Sequence, residues 1–160
     1  MENETATFAP DRFEDSPALR LMGLKETYTF QQIGEIPKLW DRLEPYLTKP
    51  GCVTYGVSLA NGDENGFDYA AAVEEDSGIP MADEFMRLEF PAQRYAVFPH
   101  TETLATLSNT IHRIMSQWIP NSGFEMTANP MMYERYGPKF DPETMSGDLE
   151  LWVPVQEKMQ

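Results

Sequence analysis

The sequence predicts an α+β domain: an antiparallel sheet carrying two main helices on one face and a ligand cleft on the other. Two observations lead there. Apolar residues recur at helical spacing in two separate segments, and each segment shows a single apolar face that needs a sheet to cover it. Around each segment the same order of elements returns, strand, helix, strand, strand, so the chain reads as a duplicated module.

Residues 1–17 carry Glu2, Glu4, Asp11, Glu14 and Asp15 with little apolar pattern. They are expected to form a flexible acidic tail ahead of a single domain over 18–160. Leu19 to Lys25 alternates well enough for a strand. Thr29 followed by Gln32 has the spacing of a capping box. Behind it Ile33, Ile36, Trp40, Leu43 and Leu47 form one helical face. Pro37 lies inside that span, so the helix either kinks there or begins near Ile36, and Pro50-Gly51 stops it. Val53 to Leu59 and Phe67 to Val73 read as strands joined by the turn-rich loop Ala60 to Gly66. Phe85 to Phe90 and Tyr95 to Pro99 read as a further strand pair around Pro91-Ala92-Gln93. From about Thr103 a second helix places Leu104, Leu107, Ile111, Ile114 and Trp118 on one face, and Pro120 with Asn121-Ser122-Gly123 ends it. Met131 to Tyr136 and Leu149 to Val155 are the closing strands, joined by the loop Gly137 to Gly147.

The composition narrows the function classes. A chain of 160 residues with 41% hydrophobic content can bury a core of its own. Twelve Lys and Arg against 26 Asp and Glu give a formal net charge of −14. Such a polyanion repels phosphate backbones and anionic lipid and attracts cations, although an acidic surface also serves solubility alone. The single Cys52 excludes an internal disulfide framework, and His100 and His112 have no metal-ligand spacing. No metal and no cofactor is expected. The N-terminus lacks the pattern of a secretory signal and no apolar run reaches membrane-spanning length, which makes the cytoplasm the default location.

The residues most suggestive of chemistry lie in the last two strands. Alternation puts Met132, Glu134 and Tyr136 on one face of their strand. In the closing strand Leu149, Leu151, Val153 and Val155 form a core face, leaving Glu150 and Trp152 opposite. If these strands pair, Glu134, Tyr136, Glu150 and Trp152 are expected to cluster on the helix-free face. Carboxylates beside aromatic rings suit a flat organic cation, through stacking, cation–π attraction and counter-charge. The plainer alternative pairs Glu134 with Arg135 or Arg94 at the surface. Trp40 and Tyr69 are further aromatic candidates, and both can equally be core. His100 and His112 read as ordinary surface or helix-end residues.

Several stretches taken together resemble a known family. Gly34 to Trp40, Tyr55 to Ser58, Phe67-Asp68-Tyr69, Tyr95 to His100, Trp118-Ile119-Pro120-Asn121-Ser122-Gly123, Tyr133-Glu134-Arg135-Tyr136 and Glu150 to Val155 are similar to the GyrI-like small-molecule-binding domain. That domain is also the effector-binding half of AraC- and MerR-type multidrug regulators. The resemblance runs in order from about residue 18 to 156, and its specific parts are the Trp-Ile-Pro-Asn-Ser-Gly stretch and the Glu-x-Tyr strand. It implies a cleft between the two halves, with Glu134 as the cleft glutamate, Trp40, Tyr69, Tyr136 and Trp152 as its aromatic residues, and Glu150 as a second acid. Thr101-Glu102-Thr103 stands where relatives often carry a glycine. The 17-residue tail has no room for a helix-turn-helix, so a stand-alone effector domain is expected.

What the resemblance implies for function is capture of a lipophilic or cationic compound. The alternatives are hydrolysis of electrophilic compounds, with Glu134 catalytic, or association with a protein partner such as a topoisomerase or a regulator. No direct binding of nucleic acid or membrane is expected.

Overall fold

The computed structural model describes residues 8–48, 51–127, 129–141 and 143–158. The strands are β1 (Arg12–Ser16), β2 (Leu19–Thr29), β3 (Thr54–Leu59), β4 (Gly66–Glu74), β5 (Met86–Phe90), β6 (Gln93–Pro99), β7 (Phe124–Met126), β8 (Met132–Tyr136) and β9 (Leu149–Glu157). They form an antiparallel sheet in the order β1-β6-β9-β8-β3-β4-β2-β5, with β7 added on β9. The two halves meet at its centre, where β3 pairs with β8.

Chain connectivity forces this sheet to curl. β1 lies at one edge and β2 beside the other, yet only Pro17 and Ala18 separate them in sequence. The same holds for β6 and β5 across Pro91 and Ala92. Each connection spans three residue steps, about 11 Å at full extension, so the two edges must approach each other. The ladder register runs on across the break: Ser16 faces Gln93 on one side and Leu19 faces Phe90 on the other. Prolines have no N–H to donate, so the break falls where pairing is lost at least cost.

The inside of the curl is filled. Leu21, Tyr55, Val57, Phe90, Tyr95 and Tyr133 pack there as one core, with Trp152 against them. Tyr133 stacks on Trp152 with ring centroids 5.6 Å apart and touches Tyr55 and Tyr95 edge-on. Two phenols find partners at the rim: Tyr55 donates to Glu74 at 2.7 Å, and Tyr95 accepts from Gln93 at 3.0 Å.

The helices cover the outside. Phe30–Glu35 forms a 3-10 turn, with the Gln32 side chain accepting from the Thr29 N–H at 2.9 Å, and α1 (Ile36–Leu43) follows with Pro37 in its first turn. The helix thus begins at Ile36, which resolves the two readings of Pro37. A further 3-10 turn, Glu44–Tyr46, completes it; Pro50 lies outside the described residues. Leu39 and Leu43 pack on Met22, Leu24, Tyr69, Ala71 and Val73. In the second half α2 (Leu107–Arg113) runs into a π-helical segment, Ile114–Trp118. Pro120 has no N–H for the Ser116 carbonyl, which accounts for the widened turn. Leu107, Ile114 and Trp118 pack on Phe98, Leu151, Val153 and Tyr136. No helix among the described residues is long and apolar enough to cross a membrane.

The α+β class, the antiparallel sheet and the two helices on one face agree with expectation. Three expectations do not. The tail assigned to residues 1–17 contains β1, whose polar residues pair along β6 with Arg94 bound to Asp15 at 2.9 Å; an edge strand facing solvent needs little apolar pattern. The strands either side of Pro91 do not pair with each other, because the proline marks the bend between opposite edges of the sheet. The helix-free face, where the cleft is expected, is curled among the described residues into a packed interior.

Removing bulk from that interior tests the arrangement. Tyr95 is 0% exposed; Tyr95→Ala is expected to cost about 3–5 kcal/mol by urea unfolding. Breaking the exposed Arg20–Glu89 pair with Arg20→Ala is expected to cost less than about 1 kcal/mol.

Candidate functional site

With the interior closed, the seam between the two halves on the helix side is where the structure gathers polar groups beside rings. Glu134 faces Leu151 across the β8–β9 ladder and Gly56 across the β3–β8 ladder. Its strand neighbours Met132 and Tyr136 pack under the second helix, so alternation places Glu134 on that same outer face. Trp40, from α1, packs against the cores of both halves and roofs the seam between them.

These residues form one directed hydrogen-bond chain. The Trp40 indole N–H donates to the Tyr69 hydroxyl at 3.1 Å. An indole can only donate, so the Tyr69 hydrogen is free to go on to Glu134 Oε1, at 3.0 Å. Tyr136 donates to the same oxygen at 2.7 Å. Oε1 therefore holds two phenolic donors, whereas Oε2 has no protein donor among the described residues. The Trp40 ring also stands edge-on to Tyr136 at 5.2 Å, and Phe140 stands edge-on to the same tyrosine at 4.9 Å.

Among the described residues no Lys, Arg or His pairs with Glu134. Arg94 is committed to Asp15, and Arg135 occupies the opposite face of β8, level with Glu150. Burial pushes the Glu134 carboxyl above its ordinary range, with the hydrogen bonds from Tyr136 and Tyr69 opposing the shift. Glu134 is nevertheless only half-buried, so the carboxyl is ringed by protein while the side chain still reaches solvent. Burial, followed by the nearby Glu134 charge, raises both Tyr69 and Tyr136. The phenols stay protonated and act as donors at neutral pH.

Gly56 makes room for this seat. A Cβ at that position would collide with the Tyr69 hydroxyl and lie 2.6 Å from Glu134 Oε1. The carboxylate and the phenol thus rest on bare backbone. Gly56 was not singled out in the sequence, although an isolated glycine inside a strand pattern is the sign of such a close approach.

Four of the six residues expected at the site come together: Glu134, Trp40, Tyr69 and Tyr136. Glu150 and Trp152 do not join them. The β8–β9 register sets Trp152 opposite Tyr133 and Glu150 opposite Arg135, on the other face of the sheet. The expectation failed because Tyr136 and Glu134 share their face with Leu149 and Leu151, the helix-covered set. Glu150 is also already neutralised: Arg12 reaches it at 2.9 and 3.3 Å and lies 5.7 Å from the Trp152 ring, while Trp152 donates to it at 3.0 Å. His100, read as a surface or helix-end residue, is buried at a helix end, hydrogen-bonded to Thr110 and to the Thr103 carbonyl, where it secures the start of the second helix. A separate cavity of about 280 Å³ lies between Ser16–Arg20 and Glu74–Asp76. No aromatic ring lines it, which makes it a poor fit for an apolar guest. No three His, Cys, Asp or Glu among the described residues are grouped to hold a metal ion.

Comparison with known proteins places this geometry in a family. The family model described as the GyrI-like small molecule binding domain matches residues 11–156. The transcriptional regulator BrlR of Pseudomonas aeruginosa is 28% identical over 151 residues, covering 90% of this chain and 54% of that protein. The chain thus spans about half the length of this relative. Among solved structures, SAV2435 bound to tetraphenylphosphonium superposes with a TM-score of 0.69 at 19% identity, covering 91% of this chain and 93% of that one. The EcmrR C-terminal domain gives 0.67 at 14% identity, covering 92% and 97%. These structural likenesses bear on the fold.

The raised Glu134 pKa has a consequence for stability. Between the ordinary and the raised value the folded state binds more protons than the unfolded one, so this group's contribution to stability falls as pH rises through the raised value. Glu134→Gln keeps an acceptor for both phenols and removes the charge. Its melting temperature is expected to exceed that of the wild type at pH 7.5, with the gap closing at pH 4, as read by thermal melts at both pH values.

Proposed function

We propose that this chain, which belongs to the GyrI-like small molecule binding domain family, captures a lipophilic organic cation in the seam between its halves. Glu134 supplies the counter-charge, and Trp40, Tyr69 and Tyr136 supply the ring contacts. The observation that carries this reading is the half-buried Glu134 carboxylate, fixed by two phenols and without a cationic partner among the described residues. A carboxylate withdrawn from water and left unpaired is costly. A guest that brings positive charge and apolar surface relieves that cost and covers the rings, whereas a neutral guest of the same shape covers the rings alone. The net charge of −14 favours approach of cations from solution.

Trp40 is the part of the proposed site that a guest meets first. It is half-buried, and its hydrogen bond to Tyr69 is a contact that a guest can replace with its own surface. A second reading, hydrolysis, draws on Glu134 Oε2, since an open oxygen on a carboxyl with a raised pKa is what a general base requires. Recovery of the compound after incubation separates the two.

Tetraphenylphosphonium, the compound named for the SAV2435 structure, is the first probe. Isothermal titration with it and with neutral tetraphenylmethane-type isosteres is expected to show preference for the cation. Glu134→Gln is expected to weaken cation binding by about tenfold or more, as loss of a nearby counter-charge in a partly desolvated site requires, and to leave neutral compounds unaffected. The compound is expected back unchanged. Equal binding of cation and isostere by the wild type contradicts the proposal, and consumption of an electrophilic compound that stops in Glu134→Gln favours hydrolysis.

A further inference from the structure

We infer that the Glu134 seat selects cations that make no hydrogen bond to it, such as quaternary onium groups, over guanidinium and amidinium groups, which need two acceptor oxygens. This inference rests on the proposed capture of cations at Glu134 and names which cations. A carboxylate oxygen offers about two lone-pair positions. At Oε1 both are taken, by Tyr69 at 3.0 Å and Tyr136 at 2.7 Å. The floor beneath that oxygen is closed as well, because it lies against the Gly56 backbone. A planar fork engages both oxygens of a carboxylate with two parallel N–H bonds. At Glu134 it would find one oxygen open and would have to displace a phenol from the other, or leave an N–H unpaired in a desolvated site.

Glu150 supplies the contrast within the same molecule. Among the described residues it receives one donor besides its cation, the Trp152 indole at 3.0 Å, and there a guanidinium does bind in two-point fashion, Arg12 Nη1 at 2.9 Å to Oε2 and Nη2 at 3.3 Å to Oε1. The two carboxylates differ in how many protein donors arrive before the cation does. An onium group makes no hydrogen bond; it is held by charge and by ring faces, and Trp40 and Tyr136 supply rings in the same hydrogen-bonded cluster as the carboxylate.

The test uses one aromatic body carrying different heads: trimethyl(2-naphthylmethyl)ammonium, 2-naphthamidinium and a neutral neopentylnaphthalene, titrated calorimetrically into the whole chain. The wild type is expected to bind the onium at least about tenfold more tightly than the amidinium, the value of one charged hydrogen bond left unmade. Tyr69→Phe and Tyr136→Phe each remove one donor from Oε1 and are each expected to shift the ratio towards the amidinium by a similar factor. Thermal melts identify a variant that fails to fold, in which case the other variant and the wild-type ratio decide. Equal or tighter amidinium binding by the wild type overturns the inference, as does a ratio unchanged in the folded variants. If the wild type prefers neither cation to the neutral compound, cation capture itself fails, and this inference with it.

Discussion

A carboxylate that is partly withdrawn from water and has no cationic partner among the described residues is the constraint around which this site is built. The two phenols stabilise its charge and leave it unpaired, since each contributes a hydrogen bond and no positive charge. Burial works in the opposite direction and prevails, so the carboxyl binds its proton more tightly than a glutamate in water does. Such a group is a poor investment for stability alone. Under the proposed function it becomes useful when something positive arrives, and the aromatic surroundings then favour a guest that is apolar as well as charged.

The fold explains why this occurs where it does. Two short connections at Pro17 and Pro91 draw the edges of the sheet together and fill its inner face with Tyr55, Tyr95, Tyr133 and Trp152. Any opening between the halves must then lie on the outer face, where each half contributes a single helix and the central β3–β8 pair is the floor between them. Gly56 keeps that floor bare at the one point where the carboxylate and a phenol lie down on it. Trp40, packed against both halves, ties the polar chain to the first helix.

Most of the architecture was legible because apolar spacing is a direct consequence of burial. Leu39 and Leu43 in one helix, and Leu107, Ile114 and Trp118 in the other, are buried as their periodicity requires. What spacing could not express is closure. A curled sheet has two buried faces, so the outward-facing set on β8 and β9 and the inward-facing set both carry large rings. Alternation told which residues share a face of each strand, and Glu134 with Tyr136 was right on that count. It could not tell which face of β8 meets which face of β9; that is fixed by the register of Glu134 against Leu151. For the same reason Glu150 and Trp152 were grouped with the wrong partners. β1 escaped notice because an edge strand held by ion pairs, Arg12 with Glu150 and Asp15 with Arg94, carries no apolar signature. Gly56 escaped because its contribution is the absence of a side chain.

The most direct measurement is a carboxyl-carbon NMR titration of Glu134, identified by its loss in Glu134→Gln, with and without saturating tetraphenylphosphonium. A pKa above the ordinary glutamate value in the free protein, falling when the cation binds, is the expected result, because a positive guest favours the ionised form. A pKa that is ordinary in the free protein and unmoved by the bound cation would contradict it.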